Sequence, residues 1–201
     1  MLQKTGWHGT TNSIVTSILK KGFSYNKYAP GKTAQRHPND LGNGIYFYLP
    51  FLEDDGDNIA TAYVKKYKSK FISSENPVVL MKATLSFEDG TRIFLLDDLQ
   101  NRQLLSEFRE KTKKVIQNLL EDIQDNGAKK RASRVNQNQG LIIELLLDLH
   151  AQKQPSKTYQ AVQGKTFTDV SYKSMNTHDG VNGCEICVRD LQCIVQTEVK
   201  Q

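Results

Sequence analysis

The chain has 201 residues, 38% of them hydrophobic, with 27 Lys and Arg against 22 Asp and Glu, a formal charge of +5. That length fits one medium domain with an ordinary core, and its periodic apolar residues argue against wholesale disorder. No apolar run is long enough to cross a bilayer, and Met1 to Thr10 hold no apolar signal core, so a cytoplasmic location without membrane partners is expected.

Leu2 to Trp7 reads as a short strand that delivers His8-Gly9-Thr10 at its end. Ser13 to Lys21 predicts a helix: Ile14, Val15, Ile18 and Leu19 form one stripe, Thr11 or Asn12 can cap it, and Gly22 can close it. Ser24 to Asp40 is a long loop. Ile45 to Tyr48 is a β-prone strand entered through glycines, and Asp57 to Tyr67 has helical spacing. Val78 to Phe87 alternates as a strand, and Arg92 to Leu95 forms a second after the Glu88-Asp89-Gly90 turn.

Leu99 to Ile123 then predicts a long helix, with Asp97 or Asp98 as its cap and Gly127 as its stop. A polar, basic stretch from Ala128 to Gln139 leads into Leu141 to Leu149, which reads as a buried helix. After the Gln154-Pro155-Ser156 break, Thr158 to Val162 and Phe167 to Tyr172 regain strand character. Met175 to Gly183 is a loop; Glu185 to Val188 and Ile194 to Val199 are terminal strands joined by a turn at Asp190 to Cys193. The expected architecture is a single α+β domain over 1–201. It has a mostly antiparallel, split sheet, flanking helices, and a helical insertion over about 97–154.

Cys184, Cys187 and Cys193 form an odd set, which favours reduced thiols. In a strand, positions three apart point to opposite faces, so buried small hydrophobes fit better than a zinc half-site completed by His178, and no metal is expected. Positive charge is grouped at Lys65, Lys66, Lys68 and Lys70, at Arg109, Lys111, Lys113 and Lys114, and at Lys129, Lys130, Arg131 and Arg134. Solvated helix faces are the ordinary explanation, and phosphates, nucleic acid or an acidic partner the functional one.

Three strings stand out: Trp7-His8-Gly9-Thr10, Gly42-Asn43-Gly44-Ile45-Tyr46-Phe47, and Glu185-Ile186-Cys187-Val188-Arg189. Breaking a glycosidic bond to nicotinamide requires a clamp for a flat carboxamide and stabilisation of positive charge developing on the ribose. Backbone at a glycine, aromatic faces and a carboxylate can supply these. Glu144 lies within a Leu-rich helix and is a poorer candidate than Glu185; Arg189 and Asp190 read as structural.

Together the strings resemble the split signature of the ADP-ribosyltransferases, in the H-Y-E branch that includes poly(ADP-ribose) polymerases. The resemblance covers roughly the first seventy residues and the last thirty or so. It implies NAD+ as co-substrate and His8, Tyr46 and Glu185 as the triad. His8 would bind a ribose hydroxyl, Gly9 the nicotinamide amide, and Thr10 would add a nearby hydroxyl. Tyr46 and Tyr63, the latter from Ala60-Thr61-Ala62-Tyr63, would stack around the ring. Ala60 stands where the branch often has a small hydroxyl residue touching the amide, so that hydrogen bond is missing here. Glu185 would hold the 2′-hydroxyl and orient the acceptor.

With His8 so close to Met1, the domain is expected to begin with the chain, as in small stand-alone microbial transferases of toxin or defence systems. The expected activity is mono-ADP-ribosylation of a macromolecule. The basic clusters favour nucleic acid slightly, while a protein side chain is the family default. An NAD glycohydrolase and a silent NAD- or ADP-ribose-binding module stay open, as does an antitoxin or inhibitor protein as partner.

Overall fold

The structure, a computed structural model, describes residues 1–28, 38–125, 135–166 and 183–200. In chain order the elements are β1 (Leu2–Thr11), α1 (Asn12–Lys21), β2 (Ile45–Leu49), α2 (Asp57–Tyr67), β3 (Val78–Phe87), β4 (Ile93–Leu95), α3 (Leu99–Asp125), α4 (Val135–Lys153), β5 (Ala161–Thr166), β6 (Gly183–Val188) and β7 (Ile194–Lys200). The fold is α+β. Seven strands form one mixed sheet in the order β4-β5-β6-β2-β1-β3-β7.

Most neighbours are antiparallel, but β4 and β5 run parallel. A parallel pair needs a long crossover, and α3 with α4 supplies it. The helical segment between about 97 and 154 is therefore built into the sheet's connectivity. Asp98 caps α3 by accepting from the Asn101 amide at 3.0 Å.

Several boundaries differ from the sequence reading. β1 runs on to Thr11 because β3 pairs with it from Leu2↔Phe87 to Thr11↔Val78, so His8-Gly9-Thr10 lies inside the strand. α4 starts at Val135, six residues before the apolar run, since extending a formed helix costs little. β5 occupies Ala161–Thr166 rather than Thr158 to Val162: a 3-10 turn at Pro155–Lys157 delays it, and pairing with β6 carries it through Gly164 and Lys165. Thr11 stands at the N-cap of α1 without a side-chain cap bond. Phe167 to Tyr172, His178, Gly127 and the cluster from Lys129 to Arg134 lie outside the described residues.

Alternation along the central strands sends side chains into separate cores. One face buries Ile45, Phe47, Leu85, Phe87, Ile186 and Val188. The other packs Leu41, Phe94, Val162 and Cys187 against Leu141, Ile143 and Leu147 of α4. A third cluster joins Trp7 and Tyr48 to Ile59 and Ala60 of α2. Cys184 and Cys187 fall in opposite-face clusters, as their spacing predicts, and all three thiols are free and buried.

The joint between β1 and β2 positions the site. These strands share one registered pair, Trp7↔Tyr48. By contrast β1 pairs with β3 over ten residues and β2 with β6 over five. The sheet thus consists of two well-laddered halves joined at one point.

Candidate active site

The three strings, widely separated in sequence, lie on β1, β2 and β6, which are neighbours at the sheet centre. His8 is half-buried beside the joint. Its Nδ1–H donates to the Tyr46 carbonyl at 2.9 Å. Its ring meets Phe23 edge-on at 5.4 Å and Phe47 at 5.8 Å. Burial in this aromatic setting lowers the His8 pKa to about 4; the Tyr46 carbonyl opposes the shift and the Lys68 charge adds to it. The ring is therefore neutral at pH 7, and Nε2 carries a lone pair that can accept a hydrogen bond.

Gly9 is where α2 crosses β1. A Cβ there would collide with the Ala60 carbonyl oxygen and lie 2.8 Å from Val64 Cγ2. Gly9 and Ala60 thus lie together, and Ala60 is fully buried. Thr10 is also fully buried, and its hydroxyl finds no hydrogen-bond partner among the described residues. Such a buried hydroxyl calls for a polar group that completes it.

Tyr46 turns its phenol into the preceding loop. The hydroxyl donates to the Gly42 carbonyl at 2.8 Å and accepts from the Leu41 amide at 3.1 Å. Burial raises its pKa well above the usual phenol range. The ring packs in the cluster that contains α4. Tyr63 instead faces Tyr48, with centroids 6.2 Å apart, and Tyr67 at 5.0 Å. The β2 aromatic beside Tyr63 is thus Tyr48 and not Tyr46. Alternation from Tyr46 puts Tyr48 on the same sheet face, and that is the signal which could have found it.

Glu185 is 7% exposed, in a strand whose residues are all buried. Its Oε1 accepts from the Thr166 hydroxyl at 2.9 Å. Across the sheet it is registered with Tyr48 on β2 and Gly164 on β5. It also lies near enough to Tyr46 to help raise the phenol pKa. The structure thus gathers the His8 ring with the Tyr46 backbone, and Glu185 with Thr166 and Tyr48; register sets Trp7, Tyr48 and Glu185 on one face of the sheet and the His8 ring on the other, against Phe23 and Phe47, so the imidazole and the carboxylate meet only across the β1–β2 joint. Thr166 has no sequence signal of its own; register alone brings it to the carboxylate.

Glu144, a poorer candidate than Glu185 from its place in a Leu-rich helix, nonetheless holds the loop before Tyr46. It is 3% exposed, pairs with Arg189 and accepts from the Asn43 amide at 2.6 Å. Asp148 is a more distant second partner of Arg189, at 3.8 Å. Gly42, at φ 95°, passes so close to Glu144 Oε1 that a Cβ there would meet it. Glu144 and Arg189 therefore fasten the glycine loop before Tyr46 to α4 and to the end of β6. An acid inside an apolar run was the available signal, but its partner lies forty-five residues away.

Among the described residues, no group of three or more His, Cys, Asp or Glu is arranged to hold a metal ion. No described helix is long and apolar enough to cross a membrane. In comparisons with known proteins, no family model, curated protein or solved structure matches this chain.

Proposed function

We propose that the chain is an NAD-dependent mono-ADP-ribosyltransferase that cleaves the nicotinamide–ribose bond and passes ADP-ribose to a macromolecule. The observation that carries this reading is the meeting of the three strings on β1, β2 and β6. The single-pair joint at Trp7↔Tyr48 supports a split sheet of the transferase kind.

The residues fit NAD+ in three respects. His8 offers a neutral ring with an acceptor nitrogen, suited to a ribose hydroxyl. Thr10 offers a buried hydroxyl that lacks a partner among the described residues. Glu185 offers a carboxylate whose orientation Thr166 holds. That carboxylate accepts the ribose 2′-hydroxyl, and its negative charge favours the positive charge that develops as nicotinamide departs. NAD+ supplies the ADP-ribosyl group; the protein supplies position and electrostatics. Nicotinamide needs a place beside Gly9 and Tyr63, so Tyr48, which packs against Tyr63, sets the width of that place.

The test is incubation of the chain and its Glu185→Gln variant with adenylate-labelled NAD+ and a cell lysate, followed by protease or nuclease treatment. Glu185-dependent label on a macromolecule is expected. Nicotinamide release without label would replace the transferase with a glycohydrolase. Neither label nor release would leave a binding fold.

A further inference from the structure

Aromatic residues recur every four positions along α2 and the turn after it: Tyr63, Tyr67 and Phe71. Tyr63 and Tyr67 are one turn apart on α2, and Phe71 lies in the 3-10 turn just beyond its end. Tyr67 is 39% exposed and Phe71 55% exposed. A lysine ammonium lies over each outer ring: Lys66 is 5.8 Å from the Tyr67 centroid, and Lys70 is 4.8 Å from that of Phe71. Lys65 and Lys68 complete four lysines in six positions, and no Asp or Glu occurs from residue 58 to residue 74. The inner end of the stripe is Tyr63, which contacts Tyr48, the registered neighbour of Glu185. Tyr48, Tyr63 and Tyr67 are thus linked ring to ring, Phe71 follows on the surface, and cations lie beside the two outer rings.

We propose that this stripe is a binding track for single-stranded nucleic acid. Exposed flat rings stack unpaired bases of any identity, and lysines beside them neutralise the phosphates between. Exposed rings also occur in protein interfaces, so binding of an acidic polypeptide is an outcome of the test below. A duplex keeps its base faces covered. That the strand is the ADP-ribose acceptor rests on the transferase reading; that it binds the stripe does not.

The experiment measures anisotropy of a labelled oligothymidylate and its RNA counterpart on the Glu185→Gln chain, without NAD+. Single strands are expected to bind at low salt and to weaken as salt rises. Tyr67→Leu with Phe71→Leu keeps the charge and apolar bulk, and is expected to weaken binding about tenfold or more. Tyr67→Phe with Phe71→Tyr keeps the rings and is expected to bind as the parent does. Absence of binding at low salt, unchanged affinity in the leucine pair, or equal affinity for a duplex or for polyglutamate would overturn the proposal. A strand that binds through the rings but is never labelled by the parent enzyme supports the track and overturns only its role as acceptor, while loss of all Glu185-dependent label on any macromolecule counts against the transferase.

Discussion

The His8 imidazole spans the joint of the sheet, donating from β1 through Nδ1 to the carbonyl of Tyr46 on β2 at 2.9 Å. The bond fixes the tautomer, and burial keeps the ring neutral down to about pH 4. In the unfolded chain histidine takes up its proton near pH 6.5. Between those values the unfolded state binds more protons than the folded one. Stability from this group is therefore complete above pH 6.5, falls as the pH drops toward 4, and levels off below. The loss is up to about 3 kcal/mol. Urea unfolding at pH 7 and pH 4.5 is expected to show His8→Gln losing less stability on acidification than the parent. Equal acid sensitivity would contradict a ring held neutral by its surroundings.

Gly9→Ala tests the crossing of α2 over β1. The new methyl meets backbone at Ala60, which cannot rotate away. A cost of about 3 kcal/mol or more is expected, read as a fall in melting temperature. Combining it with Ala60→Gly should bring no recovery, because the colliding atom is a carbonyl oxygen. An unchanged melting temperature for Gly9→Ala would mean that the helix lies further out.

Glu185→Gln keeps an oxygen that can accept from Thr166, so stability should change by less than about 1 kcal/mol. Under the proposed function, transfer should fall by about a hundredfold or more, since the negative charge is gone. Thr166→Val leaves the charge but frees its orientation, and a smaller fall, in kcat rather than KM, is expected. Full activity in Glu185→Gln would remove Glu185 from catalysis.

Glu144 and Arg189 form a buried pair, so losing Arg189 strands Glu144 and losing Glu144 leaves Arg189 only the distant Asp148. Glu144→Leu and Arg189→Met are each expected to cost about 3–5 kcal/mol. The double variant should cost well under the sum, retaining about 1–3 kcal/mol for the Asn43 amide left without its acceptor. Additive costs in denaturant unfolding would show that the two do not act as a unit.

The cysteines should be inert in the folded chain. Burial pushes the Cys187 and Cys184 thiols up, and Cys193 up to about 11. At pH 8 all three remain protonated and shielded, so a disulfide reagent should release no product until denaturant is added. Three equivalents are then expected, one for each cysteine in the chain. Rapid reaction of a native thiol would contradict this packing.

Local pattern was legible wherever it coincided with the tertiary fold. The helix at Asp57–Tyr67 and the strand at Val78–Phe87 have the bounds that periodicity predicts, because the faces they bury are the ones their spacing marks. β5 was misplaced because its last residues owe their conformation to β6. The same division holds in the site. His8, Tyr46 and Glu185 were marked through their strings, and no spacing rule could show that three distant segments become adjacent strands. Thr166 and the Glu144–Arg189 pair arise from register and from the packing of α4, which are properties of the assembled sheet. The Tyr48–Tyr63 contact depends on where α2 crosses, which the sequence of α2 alone does not specify.

The strand that carries Glu185 comes late in the chain yet sits in the middle of the sheet, between β5 and β2. During synthesis, a chain that has not reached residue 183 holds two unfilled strand edges facing one gap. Closing it demands pairing between residues about 140 positions apart, as in Tyr46↔Cys187. Such distant pairing is slow and leaves open edges that attract other chains. A chain short of residue 183 therefore carries open inner edges until the segment that bears the candidate catalytic carboxylate arrives and fills the gap between β5 and β2.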